Sequence, residues 1–248
     1  MLNDELLQAY IAEFFGYGEL SAPVWYIGME EGGGQSLTEM QQRLNTWDRR
    51  GRQKLEDLAH FHIEFGDESR FVENAGVQAT WRKIIRAILA STGVEPTDNN
   101  IRDFQINKLG RKGGDVALLE LLPLLKPSRT DFPYNDWSDL PELRTMESYE
   151  AAVLPTRITA FRSLITTYKP RAVIFYGKGF RRHFEQIAEV AFPGTNYTIV
   201  ANTERLYMML AHPVAHGNIN DVFDAAGAVL LNMRITNRSI DHPRSANA

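Results

Sequence analysis

Four short apolar runs, Val24 to Gly28, Val116 to Leu122, Ala172 to Tyr176 and Leu206 to Ala211, constrain this chain more than any other feature. A strand with one face in water alternates apolar and polar residues. These runs are mostly unalternating, so they read as strands buried on both faces. Tyr197 to Ala201 reads as a fifth strand, and helical patterns cover Gln78 to Ser91, Met146 to Tyr168, Gly179 to Val190 and Asn218 to Asn232. In the second of these, Tyr149, Val153, Ile158, Phe161, Leu164, Ile165 and Tyr168 keep helical spacing, Pro155 predicts a kink or break, and Lys169-Pro170 ends the pattern. Strands alternating with helices predict an α/β fold: a three-layer α/β/α sandwich around a central, mostly parallel sheet of four to five strands. Right-handed crossovers then gather loops beyond the carboxyl ends of the strands, where ligands are expected.

No Pro/Gly/Ser-rich or highly charged stretch long enough for a linker divides the 248 residues. The expectation is a single domain over 1–248, with an insertion at about 35–77 and a flexible polar tail after about Asn237. The insertion combines a polar, helix-like stretch from Leu37 to Ala59 with an aromatic, turn-rich piece holding Phe61, Phe65 and Phe71. Its place after the first strand suits a lid or wall over the binding edge, and equally suits ordinary packing. The absence of cysteine excludes disulfides, thiolate metal sites and a cysteine nucleophile. Met1 to Phe15 is acidic and amphipathic, unlike a signal peptide, and no run approaches the roughly 20 apolar residues of a membrane span. A cytoplasmic protein without membrane contact is expected. The net charge of −4 argues against coating nucleic acid by bulk attraction. Clusters around Arg49, Arg82, Lys108 and Lys178 read first as solvated faces.

Two segments could carry chemistry. Gly28-Met29-Glu30-Glu31-Gly32-Gly33-Gly34 follows the first apolar strand. Its glycines allow close backbone approach, and its carboxylates could polarise a water or bind a cation; a flexible turn with solvated acids is the plainer alternative. It lacks the Lys-Ser/Thr of a phosphate loop, and two acids would repel phosphate. His212-Pro213-Val214-Ala215-His216-Gly217-Asn218 follows the last apolar run. His212 could donate a hydrogen bond to a developing anion from a turn stiffened by Pro213, or could be satisfied by backbone carbonyls. His216 reads as a surface or helix-capping residue.

Together these segments resemble the uracil-DNA glycosylase superfamily, whose first motif has the form Gly-x-Asn/Asp-Pro-Gly/Tyr and whose last has the form His-Pro-Ser. Gly28-Met29-Glu30-Glu31-Gly32 is most similar to the Gly-Met-Asn-Pro-Gly of the single-strand-selective branch, and His212-Pro213-Val214 takes the second position. The run from Val116 to Leu122 stands where the family has a strand ending in a base-reading asparagine, and Ala172 to Lys178 matches its strand-Gly-Lys step. Glu31 replaces the family's proline, Val214 its serine, and Glu120 its amide. An asparagine both donates and accepts whereas an ionised glutamate only accepts, so base recognition would have to change.

The resemblance implies hydrolysis of the N-glycosidic bond of a uracil or other deaminated base flipped out of single- or double-stranded DNA. It implies Glu30 orienting or deprotonating water, His212 stabilising the leaving base, and Gly28, Met29, Glu31 and Glu120 around the base. Pro213, Val214 and His216 would lie on the DNA side, with Lys178, Arg181 and Arg182 near phosphates. A monomer that needs no cofactor or metal is expected. Stacking of Trp25, Tyr26 or an aromatic between Phe61 and Phe71 on the base competes with core packing, which is favoured. Two other readings stand: a nucleic-acid or nucleotide-binding protein that kept the fold without the reaction, and a metal-dependent hydrolase using Glu30, Glu31, Glu120 and His212.

Overall fold

The computed structural model describes residues 1–128, 131–194, 197–201, 205–217 and 219–240; of residues 197, 201 and 234–240 only the backbone is described. In chain order the elements are α1 (Asp4–Glu13), β1 (Gly16–Tyr17), β2 (Val24–Gly28), α2 (Leu37–Arg49), β3 (Leu55–Glu56), α3 (Leu58–Phe65), α4 (Ala79–Ser91), α5 (Asp98–Asn107), β4 (Val116–Glu120), α6 (Tyr134–Trp137), α7 (Met146–Tyr168), β5 (Ala172–Tyr176), α8 (Arg181–Ala188), β6 (Tyr197–Ala201), β7 (Leu206–Leu210) and α9 (Ile219–Ile240). Short 3-10 turns precede α7 and α8.

The strands form one sheet in the order β3-β1-β4-β2-β5-β7-β6. Its centre, β4-β2-β5-β7, is parallel throughout, while β1 and β6 run antiparallel to β4 and β7. Seven strands replace the four to five expected. The two unforeseen ones, β1 and β3, are two residues long, too short to leave a period in sequence. The apolar run after Val116 pairs regularly only to Glu120, and the Leu121 and Leu122 amides then donate to the carbonyls of Gly28 and Met29.

Alternation along the strands assigns the helices to faces. Trp25 meets Tyr168 of α7, and Phe175 stacks on Phe184 of α8 at 4.9 Å, so α7 and α8 cover one face. Val24, Tyr26 and Val116 look the other way, toward Ile88 of α4, Phe104 of α5 and Leu230 of α9. The pair α4 and α9 packs closely: a Cβ on Gly227 would lie 2.5 Å from the Ala87 carbonyl oxygen. Arg86 grips the Asp224 carboxylate with two hydrogen bonds across the same contact.

Helix α7 runs without a break through Pro155, which is exposed on its outer side. The capping box of Thr145 and Ser148 starts it, and left-handed Lys169 before Pro170 ends it. The 35–77 insertion is packed: Phe61, Phe65 and Phe71 are all buried, with Met40, Leu44 and Trp47 of α2. The polar tail beyond residue 240 lies outside the described residues, as does Asn218. Among the described residues no helix is long and apolar enough to cross a membrane.

Candidate functional site

Three residues in register across the parallel centre build the site. Gly28 of β2 pairs with Glu120 of β4, and one residue before it Ile27 pairs with Phe175 of β5, which places Tyr176 beside Gly28 on its other flank. All three stand at the carboxyl ends of their strands. The missing side chain at Gly28 is the space in which its neighbours meet: a Cβ there would lie 2.4 Å from both Glu120 Oε2 and the Tyr176 hydroxyl. Tyr176 donates to Glu120 Oε1 at 3.1 Å, while the enclosed Oε2 has no partner. Burial, followed by the charge of Glu31, holds the Glu120 carboxyl well above the usual range, and the Tyr176 hydrogen bond offsets only part of this. The shift favours the protonated form of Glu120, in which one oxygen accepts from Tyr176 and the other can carry an O–H. Arg157 of α7 anchors the strand beneath it, donating to the backbone carbonyls of Phe14, Glu120 and Leu121.

Glu30 and His212 flank this row. Glu30 is half-buried, and its Oε2 is enclosed without a hydrogen-bond partner. Burial raises its pKa, opposed by the charge of Lys126 and assisted by that of Glu150. Its charge also acts on Glu120 and Tyr176. His212 is half-buried, with its ring 6.3 Å from that of Tyr176. Burial lowers its pKa, so the imidazole is neutral. The Val214 amide donates to Nδ1 at 3.3 Å, which puts the ring proton on Nε2 as a donor. Tyr176 is thus the common neighbour of the acid and the imidazole.

Glu31, one residue further, is employed differently. Arg43 of α2 donates from Nη2 to its Oε2 at 2.5 Å, Tyr17 of β1 donates to the same oxygen at 2.7 Å, and His62 Nε2 of α3 lies 3.3 Å from Oε1. Arg43 also donates to the hydroxyls of Tyr10 and Tyr17 and sits over the rings of Phe14, Phe61 and Phe65. Burial pushes the Glu31 carboxyl up, but Arg43, His62 and Tyr17 outweigh it and bring the pKa down to about 2. The two acids are thus pushed in opposite directions, Glu31 toward the ionised form and Glu120 toward the protonated one.

The glycines after Glu31 serve the backbone. Gly32 forms a bridge with Lys126, and a Cβ on Gly34 would lie 2.9 Å from the Leu125 side chain. The carboxylate of Glu39 accepts from the amides of Gly34 and Gln35. Met29 lies over the turn at Gly177, 3.3 Å from where a Cβ would stand. Pro213 is buried, whereas Val214 is 55 % exposed and His216 is exposed. Lys178 is exposed on the neighbouring turn and Arg182 in the first turn of α8, and Arg181 is engaged by Glu185 and the Gly194 carbonyl.

Sequence reasoning missed Tyr176, Tyr17, Arg43 and His62. Arg43 carried a legible signal, since it shares the helical face of Met40, Leu44 and Trp47, where a charge must be paired. His62 and Tyr17 carried none. Among the described residues no group of three His, Asp or Glu side chains is disposed to hold a metal ion. Neither a scan against protein-family models nor a search of curated proteins returns a match to this chain.

Proposed function

We propose that this edge of the sheet receives a nucleobase flipped out of DNA and that the chain hydrolyses its N-glycosidic bond. The observation that carries the reading is the row Glu120, Gly28 and Tyr176 flanked by Glu30 and neutral His212, with an unpartnered, enclosed oxygen on each of Glu30 and Glu120. Buried polar atoms without partners concentrate where a ligand supplies the missing bond. The protonated form of Glu120 that burial favours answers the loss of the amide. Its O–H donates to a base carbonyl, and Oε1, held by Tyr176, has a second lone pair to accept a ring N–H. Bases presenting a carbonyl next to an N–H, the pattern left by deamination, fit this pair. His212 Nε2–H meets the charge that develops on the departing base, and a neutral donor does so without stabilising the ground state as a cation would. Glu30, ionised in the reacting form, orients the attacking water and favours the cationic sugar.

Oligonucleotides carrying uracil, hypoxanthine or xanthine, single- and double-stranded, test the reading by the appearance of abasic sites. Cleavage of at least one is expected. Glu30→Gln and His212→Ala should each lower it 100-fold or more, a magnitude typical of acid–base and oxyanion groups. Glu120→Gln, which keeps one donor and one acceptor, should retain more activity than Glu120→Leu. Absence of cleavage, or equal cleavage by these variants, overturns the proposal, and salt-dependent binding without turnover assigns the non-catalytic alternative.

A further inference from the structure

At the opposite edge of the sheet lies a cavity of about 270 Å³, between the face bearing Val24, Tyr26 and Val116 and the layer made by α4, α5 and α9. It opens to solvent past exposed Thr92, Asn107 and Gly113. An engineered apolar cavity of about 150 Å³ accommodates one benzene ring, so this volume admits roughly a two-ring body. One wall is apolar, formed by Val24, Ile88, Phe104, Val116 and Leu230, while Ser91, Thr92 and Asn107 are among the polar residues that line the rest. Two of the lining residues carry a buried polar atom without a partner. The hydroxyl of Tyr26 is fully buried and has no hydrogen-bond partner, and Arg111 Nε is likewise buried and unpartnered. The rest of the Arg111 guanidinium is fixed, Nη1 on Asp57 at 2.8 Å and Nη2 on the Ile106 carbonyl at 2.5 Å, so Nε is held in place rather than free to seek another acceptor.

Both unpartnered atoms are donors. Burial raises the Tyr26 hydroxyl's pKa, so it keeps its proton, and an arginine Nε–H has no other role. Two enclosed donors at one cavity call for an acceptor, because a buried donor left unmatched is unfavourable. Exposed Lys108 and Lys112 at the mouth add positive charge, against one acid there, Asp115. Catalytic use is not implied, because Val24 and Val116 are the first residues of their strands while Glu120 is the last of β4, roughly 13 Å away along the strand.

We infer that this cavity is a second binding site, for a compact aromatic carboxylate whose ring system fills the apolar chamber and whose anionic group accepts from Tyr26 and Arg111. The site is independent of base excision at the other edge.

2-Naphthoate is a suitable probe, with its methyl ester as the neutral control, followed by calorimetric titration and by the shift in melting temperature. Saturable binding of naphthoate to the full chain is expected, at least tenfold tighter than the ester. Tyr26→Phe removes a hydroxyl that makes no hydrogen bond within the protein, so the variant should fold at least as well as the wild type while binding naphthoate about tenfold more weakly. Ser91→Leu, which extends a side chain from α4 into the chamber, should abolish binding. No saturable binding at millimolar naphthoate, equal affinity for acid and ester, or unchanged affinity in both folded variants would overturn the inference. Glycosylase activity is not read in any arm, so either proposal can fail alone.

Discussion

Burial pushes the carboxyls of Glu31 and Glu120 the same way, up, and they end on opposite sides of the ordinary value because Glu31 has a guanidinium against it and Glu120 does not. The sign of each contribution to stability follows. Glu31 has a folded pKa of about 2, below its ordinary 4.5, so its stabilisation is present above pH 4.5 and is lost as pH falls toward 2; the gap corresponds to about 3 kcal/mol. Glu120 is raised, so its contribution is complete below pH 4.5 and lost as pH rises toward its folded pKa. Glu120 therefore contributes a rise in melting temperature as pH falls from 7 toward 4.5, opposed below pH 6.5 by His212 with its lowered pKa, and Glu31 contributes a drop below 4.5. Glu120→Gln should flatten the upper limb and Glu31→Gln the lower one; limbs of unchanged slope in these variants would contradict the assignment. Arg43 is 2 % exposed, and its removal strands an ionised Glu31 in the interior. Arg43→Ala is expected to cost about 3–5 kcal/mol in urea denaturation, with little recovery in Arg43→Lys, whose single ammonium cannot serve Glu31, Tyr10 and Tyr17 together.

Among elements, the contact of α4 with α9 shows how a helix-unfavourable residue can be required by packing. A glycine inside a helix is about 1 kcal/mol worse than alanine on propensity alone. Gly227 has no room for a Cβ, which would fall 2.5 Å from the Ala87 carbonyl oxygen and 2.6 Å from Ala90 Cβ. Gly227→Ala should accordingly destabilise by about 1–3 kcal/mol despite its better propensity, and a rise in denaturation midpoint would show that the helices separate at little cost. Pro155 teaches the converse. The sequence predicts a kink or break there, yet α7 continues, because its buried face, with Val153, Leu154, Arg157 and Phe161, is held on both sides of the proline. Burial of that face outweighs one missing amide donor. The α2 and α3 pieces of the insertion were indistinct in sequence for a related reason: their apolar stripes are short and interrupted by Arg43 and His62, which are buried as partners of Glu31.

For the whole molecule, the four parallel central strands are enclosed by helices on both faces, and the outer pairings of β1 with β3 involve two residues each. Hydrogen exchange should follow this grading, with amides of Tyr26, Ile27, Leu118, Ile174 and Met208 released only by global unfolding and those of Leu55 and Glu56 by local opening; uniform protection would refute it. The order of strands and helices was legible in the sequence, because double-sided burial suppresses alternation and helical spacing survives in local composition. Five strands and the helices α4, α7 and α8 were read to within a few residues on that basis, whereas α9 runs on to Ile240, beyond the Asn232 expected. Local pattern could not say which oxygen would be satisfied by which donor. Glu31 meets an arginine 12 residues on and a histidine 31 residues on, and Gly28 is occupied by side chains from β4 and β5. Protonation depends on distances of a few ångströms between such groups, and those distances exist only after the chain has folded; the sequence determined where the acids stand along the sheet, and the tertiary structure alone decided which way the pKa of each is pushed.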